Sequence, residues 1–208
     1  MTRTLRIPTI LAVTAPLACL LLTGCHVTEN EHGNRKNVDI GTPFGSMKVH
    51  TNNSTDTSAI GLSAYPGAVP TNDSGDKDGN SANVDMSFGS FRLGVRAAGF
   101  QTPDQPDKVL AFYRKDLSRY SNVIECHGHA SVGQPTRTTL GLTCSDSSKE
   151  VQINGSEPSN NNVELRAGSP QHQHIVSVEA HGGGTKIGLV ALDLPSHLSG
   201  HANKDSEE

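Results

Sequence analysis

The alternation of hydrophobic and polar residues predicts that most of the chain after residue 36 forms short strands. Val84, Met86 and Phe88 alternate with polar residues, and the apolar positions change phase by one residue after Gly89. A period of two is typical of a half-buried strand, and a phase change at glycine is typical of a bulge or a tight bend. Further strands are predicted at residues 38–40, 47–49, 123–126, 140–144, 151–153, 163–166, 175–180 and 186–194.

One segment has helical spacing. Its apolar positions follow a period of 3.6, which predicts a helix over about 104–120 with Asp104 as the N-cap and Pro106 in the first turn. The positions are Val109, Leu110, Phe112, Tyr113, Leu117 and Tyr120. The fold class predicted is therefore α+β: a mainly antiparallel sheet in one domain over 37–195, with this helix packed on one face.

Two stretches of the sequence are similar to each other. Residues 37–40 and 44–49 match residues 83–86 and 88–93 when a gap of two residues is allowed. The similarity is consistent with the duplication of one bent strand or with coincidence. A single repeated segment is not enough to define a repeat protein.

The N-terminus is typical of a secretion signal. Arg3 and Arg6 precede sixteen uncharged, mostly apolar residues, 7–22. As a helix these would span about 24 Å, which is less than the hydrocarbon thickness of about 30 Å. We therefore expect a cleaved signal rather than a membrane span.

The signal ends in Leu22-Thr23-Gly24-Cys25, which resembles a bacterial lipobox. The resemblance implies that residues 1–24 are removed and that Cys25 becomes a lipidated first residue, so the membrane partner is reached through acyl chains. His26 follows, where Asp would favour inner-membrane retention in some bacteria, so we favour the outer membrane. An ordinary signal followed by an unmodified thiol is the alternative.

Two cysteines remain after the signal. Cys19 lies in the apolar run and Cys25 is the lipidation candidate, which leaves Cys126 and Cys144. An even pair in an exported chain predicts one disulfide, and strands at 123–126 and 140–144 could form a hairpin that places the sulfurs opposite each other. A reactive or metal-binding thiol pair is the alternative reading.

Composition limits both the ordered part of the chain and its partners. Only 34% of the 208 residues are hydrophobic, and the net charge is −4. The absence of a basic excess argues against nucleic-acid binding. The polar stretches 25–36 and 196–208 are predicted to be a flexible tether and a disordered tail.

A second resemblance covers about residues 60–120. Tyr65-Pro66-Gly67-Ala68 precedes a helix containing Phe112-Tyr113-Arg114. This order resembles uncharacterised bacterial exported proteins in which a "YPGA" segment precedes an "FYR…L" helix. It implies a related fold and no particular activity.

Ten histidines make metal binding the alternative function. His127 with His129, and His172 with His174, are spaced so that on a strand both rings of a pair share a face, as zinc or copper ligands would. Each pair would need further ligands, and neither HExxH nor Cys/His spacing supplies them. Such a protein would be a periplasmic metal-binding protein.

A polar loop also matches a calcium loop loosely. With Gly79 at position 6, the ligand positions would include Ser74, Asp76, Asp78 and Asp85. Loops rich in Asp and Gly are also common simply as turns. We assign no metal or cofactor from these patterns.

No motif indicates catalysis. The sequence has no G-x-S-x-G elbow, phosphate-binding loop or dinucleotide fingerprint. We therefore expect a non-catalytic binding or structural domain on a lipid-anchored envelope protein, with an envelope hydrolase as the least favoured alternative.

Overall fold

The computed structural model describes residues 25–32, 35–52, 56–71, 80–145 and 162–195. In this part of the chain, eleven strands form one sheet and one helix accompanies it. The prediction of a mainly antiparallel sheet with one helix is confirmed, although α+β is a loose description because the helix is short. The elements are β1 (His26–His32), β2 (Arg35–Thr42), β3 (Gly45–Asn52), β4 (Val69–Pro70), β5 (Ser81–Phe88), β6 (Phe91–Thr102), α1 (Pro106–Leu117), β7 (Ile124–His127), β8 (Ala130–Ser131), β9 (Asn162–Gly168), β10 (His172–His181) and β11 (Gly184–Asp193).

The sheet consists of hairpins joined side by side. Its order is β1-β2-β3-β5-β6-β11-β10-β9-β7-β8, and β4 pairs with β6 outside this path. All of these pairs are antiparallel. The predicted signal 1–24, the predicted strand 151–153 and the predicted tail 196–208 lie outside the described residues.

The phase change at Gly89 comes from a tight turn, the second of the two alternatives, and not from a bulge. Phe88 pairs with Phe91, so Gly89 and Ser90 form the two-residue turn of the β5–β6 hairpin. The φ of Gly89 is +57°, which suits the tight turns that join antiparallel strands. A hairpin reverses the chain, so the apolar positions change phase without any bulge.

The two similar stretches are two hairpins of the same form. Thr42 pairs with Gly45 around a two-residue turn, as Phe88 pairs with Phe91. Counted from these turns, residues 37–42 correspond to residues 83–88 without a gap. The gap of two residues in the sequence comparison therefore does not match the structural correspondence.

The predicted tether over 25–36 is largely strand. Residues 26–32 form β1 and pair in antiparallel register with residues 35–41 of β2, from His26 opposite Gly41 to His32 opposite Arg35. The stretch is polar because β1 is an edge strand whose side chains are mostly exposed, which is how natural sheets protect an open edge. The polar side chains led to the prediction of a tether. Strands are paired by backbone hydrogen bonds, however, which do not require apolar side chains.

The core lies between α1 and one face of β6, β9, β10 and β11. Its main buried side chains come from four positions of the helix and from six alternating positions of these strands. They are Val109, Leu110, Tyr113, Leu117, Phe100, Leu165, Val176, Val178, Ile187 and Leu189.

The beginning of α1 differs from the prediction of a helix over 104–120. Gln105 rather than Asp104 is the N-cap, and it makes no side-chain capping bond. The Asp104 carboxylate instead accepts hydrogen bonds from the Tyr65 hydroxyl (2.7 Å) and from Lys108 Nζ (3.2 Å). The prediction that Asp104 caps the helix is therefore wrong, because its carboxylate faces other donors.

The segment before β4 packs over α1. The Tyr65 ring meets the Phe112 ring edge to face, with centroids 5.2 Å apart, and the Ser63 amide donates to Asp116 (2.9 Å). Ile60 and Leu62 are buried in the same core. The "YPGA" and "FYR" segments are thus in direct contact.

Candidate functional site

Cys25 lies at the start of the edge strand with an exposed thiol. The next residue, His26, already pairs with Gly41 of β2, so no flexible spacer separates Cys25 from the sheet. The turns at 43–44 and 89–90 lie at this same end of the strands. We call residues 25–27, 42–45 and 88–91 the anchor end. Among the described residues, no helix is long and apolar enough to cross a membrane.

The disulfide is confirmed, but not as a hairpin. Cys126 and Cys144 are bonded, with their Cα atoms 5.6 Å apart. Cys126 lies in β7, whereas residues 140–144 form turns with a single isolated bridge between Arg137 and Thr143. The predicted strand at 140–144 is therefore wrong. The segment is instead fixed by hydrogen bonds such as that from the Thr138 hydroxyl to the Gly168 carbonyl (2.7 Å).

The first histidine pair is not arranged on a strand. His127 ends β7, and His129 lies in the turn that follows, after Gly128 with a φ of +62°. His127 Nε2 lies 3.6 Å from a Glu125 carboxylate oxygen. Because the chain turns between the two rings, the shared face expected from the i, i+2 spacing does not form.

The second histidine pair does share a strand face. His172 and His174 are both in β10, on the face that α1 covers further along. His172 Nδ1 lies 2.9 Å from Asp193 Oδ1. The structure does not bring this pair together with His127 and His129, and no group of three or more metal-ligating side chains occurs among the described residues.

Asp193 is part of a charged network that the sequence analysis did not identify. Arg96 donates to Asp193 (2.8 Å) and to Asp85 (3.1 Å), so one guanidinium joins β5, β6 and β11. Partial burial raises the pKa of Asp193, but the hydrogen bonds from His172 and Arg96 outweigh burial and leave the pKa below its ordinary value. The network follows from the strand register, which places Asp85 and Asp193 in one row across the sheet and Arg96 in the next row on the same face. The residue pattern along the chain does not contain this information.

His174 has a different environment. Its ring stacks on the Tyr120 ring with centroids 3.6 Å apart and planes inclined by 14°. Burial lowers the pKa of His174 and is the largest effect. The Asp193 carboxylate opposes it, and the weaker effects of Arg119 and His172 lower the pKa further. Its Nδ1 is buried without a hydrogen-bond partner among the described residues. The ring is therefore favoured in its neutral form and packs as part of the structure.

The calcium-loop prediction has only one position in the described residues. Ser74, Asp76, Asp78 and Gly79 lie outside them. Asp85 lies within β5, where its carboxylate is bound by Arg96 (3.1 Å). A carboxylate bound by a guanidinium has its charge already partnered, so Asp85 is poorly placed as the bidentate ligand of that loop.

A shallow depression of about 360 Å³ lies at the far end of β10 and β11 from Asp193. The turn Gly182–Gly183 forms one wall, and the Gln105 side-chain amide donates to the Gly183 carbonyl (2.8 Å). Its one titratable side chain is His181. The depression is otherwise lined by backbone atoms, by apolar groups and by the side chains of Gln101, Thr102 and Thr185. These groups and a single imidazole do not form a pair of titratable acid and base of the kind hydrolysis requires.

Comparisons of this chain with known protein families, with curated proteins and with solved structures give no match. Any function must therefore be inferred from the residues themselves. The sequence feature that predicts a specific modification is Leu22-Thr23-Gly24-Cys25.

Proposed function

We propose that this protein is a lipid-anchored lipoprotein of the bacterial cell envelope, with a non-catalytic binding or structural domain. Acyl chains on Cys25 would attach it to a membrane, and the disulfide-bonded domain would lie in the periplasm or at the cell surface. The observation that carries the proposal is Leu22-Thr23-Gly24-Cys25 directly after an apolar segment of signal length.

Two features of the folded chain support this proposal. The Cys25 thiol is exposed at the beginning of the first strand, so acyl groups attached to it would not disturb the core. The disulfide between Cys126 and Cys144 is a bond that persists in oxidising compartments, which agrees with export.

The attachment would depend on the acyl chains. Removal of residues 1–24 takes away Arg3 and Arg6 and leaves 15 basic and 21 acidic residues, a net charge of −6. A chain of this charge gains nothing from anionic headgroups. Each buried methylene contributes about 0.8 kcal/mol, and two or more acyl chains are needed for stable anchoring.

Metabolic labelling with a clickable fatty acid tests this proposal. We expect the wild-type chain to take up label and to fractionate with membranes, and the Cys25→Ser variant to do neither. Cys19→Ser is the matched control, because Cys19 lies in the segment that would be discarded, and this variant should label like wild type. Label on the Cys25→Ser chain, or an unlabelled wild-type chain, would refute the proposal.

The preference for the outer membrane needs a separate test. His26 occupies the position after Cys25, and the variant His26→Asp should shift the labelled protein toward the inner-membrane fraction in a host that sorts lipoproteins by this residue. An unchanged distribution between the two membrane fractions would argue against sorting at His26.

A further inference from the structure

One face of the N-terminal strands is apolar over a continuous area. The register aligns apolar side chains in two rows that cross β2, β3, β5 and β6. Alternate residues of a strand point to the same face, so the two rows are neighbours on one surface. The rows are Val38–Val49–Val84–Val95 and Ile40–Met47–Met86–Leu93.

This apolar face is distinct from the face that carries the core. The side chains of Asn37, Asp39, His50 and Asp85 lie on the other face, where His50 Nδ1 bonds Asn37 (2.9 Å) and Arg96 bonds Asp85. That other face is continuous with the one that α1 covers further along the sheet. The N-terminal strands therefore have a polar face beside the helix and an apolar face away from it.

No described helix or strand covers the apolar face of the N-terminal strands. Among the described elements, β1, β2, β3 and β5 contact only their neighbours in the sheet. On the same face, the segment 126–145 packs beside β9, where Arg166 Nη1 donates to the Cys144 carbonyl (2.9 Å). Cover is thus present over the C-terminal strands, whereas the side chains of both rows stay partly exposed.

Exposure of apolar side chains is greatest at the anchor end. Val27 is 60% exposed, Phe88 is 42% exposed and Phe44, in the turn at 43–44, is 85% exposed. Toward the opposite end of the same strands, the apolar rows give way to the ion pair of Lys36 with Glu31 (3.6 Å). The apolar character of this face therefore increases toward Cys25.

We propose that the anchor end and the adjoining apolar rows rest in the interface of the bilayer that holds the acyl chains. This inference rests on the proposed lipidation of Cys25. Because His26 is already paired in the sheet, the point where the acyl chains enter the membrane lies within one or two residues of Val27 and of the turn carrying Phe44. A strand advances only about 3.4 Å per residue, so the sheet has no length of chain with which to move away.

The size and composition of the surface fit a lipid interface. Four strands about 4.8 Å apart and two rows about 7 Å apart cover about 270 Å² of sheet, to which the exposed side chains of the anchor end add, and the largest apolar patch on a typical monomer is about 300–600 Å². Its members are aliphatic, methionine and phenylalanine side chains, which can enter the boundary between headgroups and acyl chains. A second copy of the chain is the competing occupant, and the experiment separates the two.

The chain contains no Trp, so a single introduced Trp reports one position. The test variant is Phe44→Trp, and the matched control is Leu140→Trp, since Leu140 is 55% exposed in the disulfide-bonded segment. Each acylated protein is reconstituted into phosphatidylcholine vesicles with and without brominated acyl chains. We expect the Phe44→Trp fluorescence to shift to shorter wavelength and to fall by half or more with brominated lipid, and the Leu140→Trp fluorescence to stay unchanged.

Each result separates this inference from the proposed function. The mass of the purified chain first shows whether Cys25 is acylated; an unmodified Cys25 overturns both. An acylated protein whose Phe44→Trp fluorescence is not quenched leaves the anchor in place and overturns the membrane contact. The Phe44→Trp fluorescence is also measured without lipid or detergent. A shift to shorter wavelength there that grows with protein concentration assigns this surface to a second copy and also overturns the inference.

Discussion

The two halves of this sheet use the same strand pattern with different results. In β9, β10 and β11, alternate side chains are buried under α1, and Leu165, Val176 and Leu189 are fully enclosed. In β2, β3 and β5, alternate side chains such as Val38, Val49 and Val84 are only partly buried. A period of two therefore specifies a strand in both halves, but only a second layer converts the strand into core.

This difference in burial implies that stability is unevenly distributed along the sheet. The free energy gained from burial scales with the apolar area removed from water. The strands under α1 gain the full free energy of burial. The N-terminal strands bury less apolar area, so they depend more on backbone hydrogen bonds and on contacts between neighbours in each row. We therefore expect the N-terminal strands to open at lower free energy than the strands under the helix.

The largest effect should come from the core. Leu189→Ala, in the fully buried position on β11, should lower the free energy of unfolding by about 3–4 kcal/mol because it leaves a cavity beneath α1. Leu93→Ala on β6 is the matched change on the uncovered face and should cost about 1 kcal/mol. Urea unfolding measures both; equal losses would contradict the contrast between the two halves.

Removal of the disulfide should have the next largest effect, again outside the N-terminal strands. Cys126 and Cys144 are separated by 18 residues, and closing a loop of this size stabilises the folded state by about 3 kcal/mol in the chain-entropy account. The paired variant Cys126→Ala with Cys144→Ala should lose about this amount in urea unfolding. Hydrogen exchange should increase around 122–145 first, and an equal increase throughout β1 to β3 would be unexpected.

A smaller effect is expected where the two halves meet. Arg96→Met removes the guanidinium that joins Asp85 to Asp193 but keeps the aliphatic stem. Because both carboxylates are about half exposed, the loss of unfolding free energy should be at most about 1 kcal/mol and should shrink at high salt. The pKa of Asp193 should rise toward its ordinary value, which NMR titration would show. An unchanged pKa would remove Arg96 as a cause.

The smallest effect should be visible only as a pH dependence. The pKa of His174 in the folded chain is below 6.5, so below that pH the unfolded chain binds more protons than the folded chain. The free energy of unfolding should therefore fall as pH drops below 6.5, until the folded pKa is reached. His174→Phe, which keeps an aromatic ring against Tyr120, should reduce this slope in urea titrations at several pH values. The same slope in wild type and variant would contradict the assignment.

Local patterns in the sequence were sufficient for much of the fold. The period of two predicted β9, β10 and β11, and helical spacing predicted α1 to within a few residues. These signals depend on neighbours along the chain. The β1 strand was missed because its side chains are polar and its stability comes from pairing with β2, which a periodic pattern does not record.

The arrangement of groups around the sheet could not be predicted in the same way. The network of Asp85, Arg96 and Asp193 depends on the register of three strands, two of which are nearly a hundred residues apart in the chain. The cysteine pair could be predicted by counting, but its geometry could not, because the segment before Cys144 folds as turns. The sequence shows which charged side chains and cysteines the chain has. The strand register and the path of the chain between strands determine which of them come into contact.

The open edge of the sheet has a consequence for self-association. Seven residues form β1, and the central one is Glu29. If two copies paired along this edge in antiparallel fashion with full overlap, Glu29 of each copy would lie directly opposite its equivalent, and like charges in that position oppose pairing. Two copies would thus be discouraged from pairing along β1 into a closed dimer, although β1 has no partner strand on its outer side among the described residues.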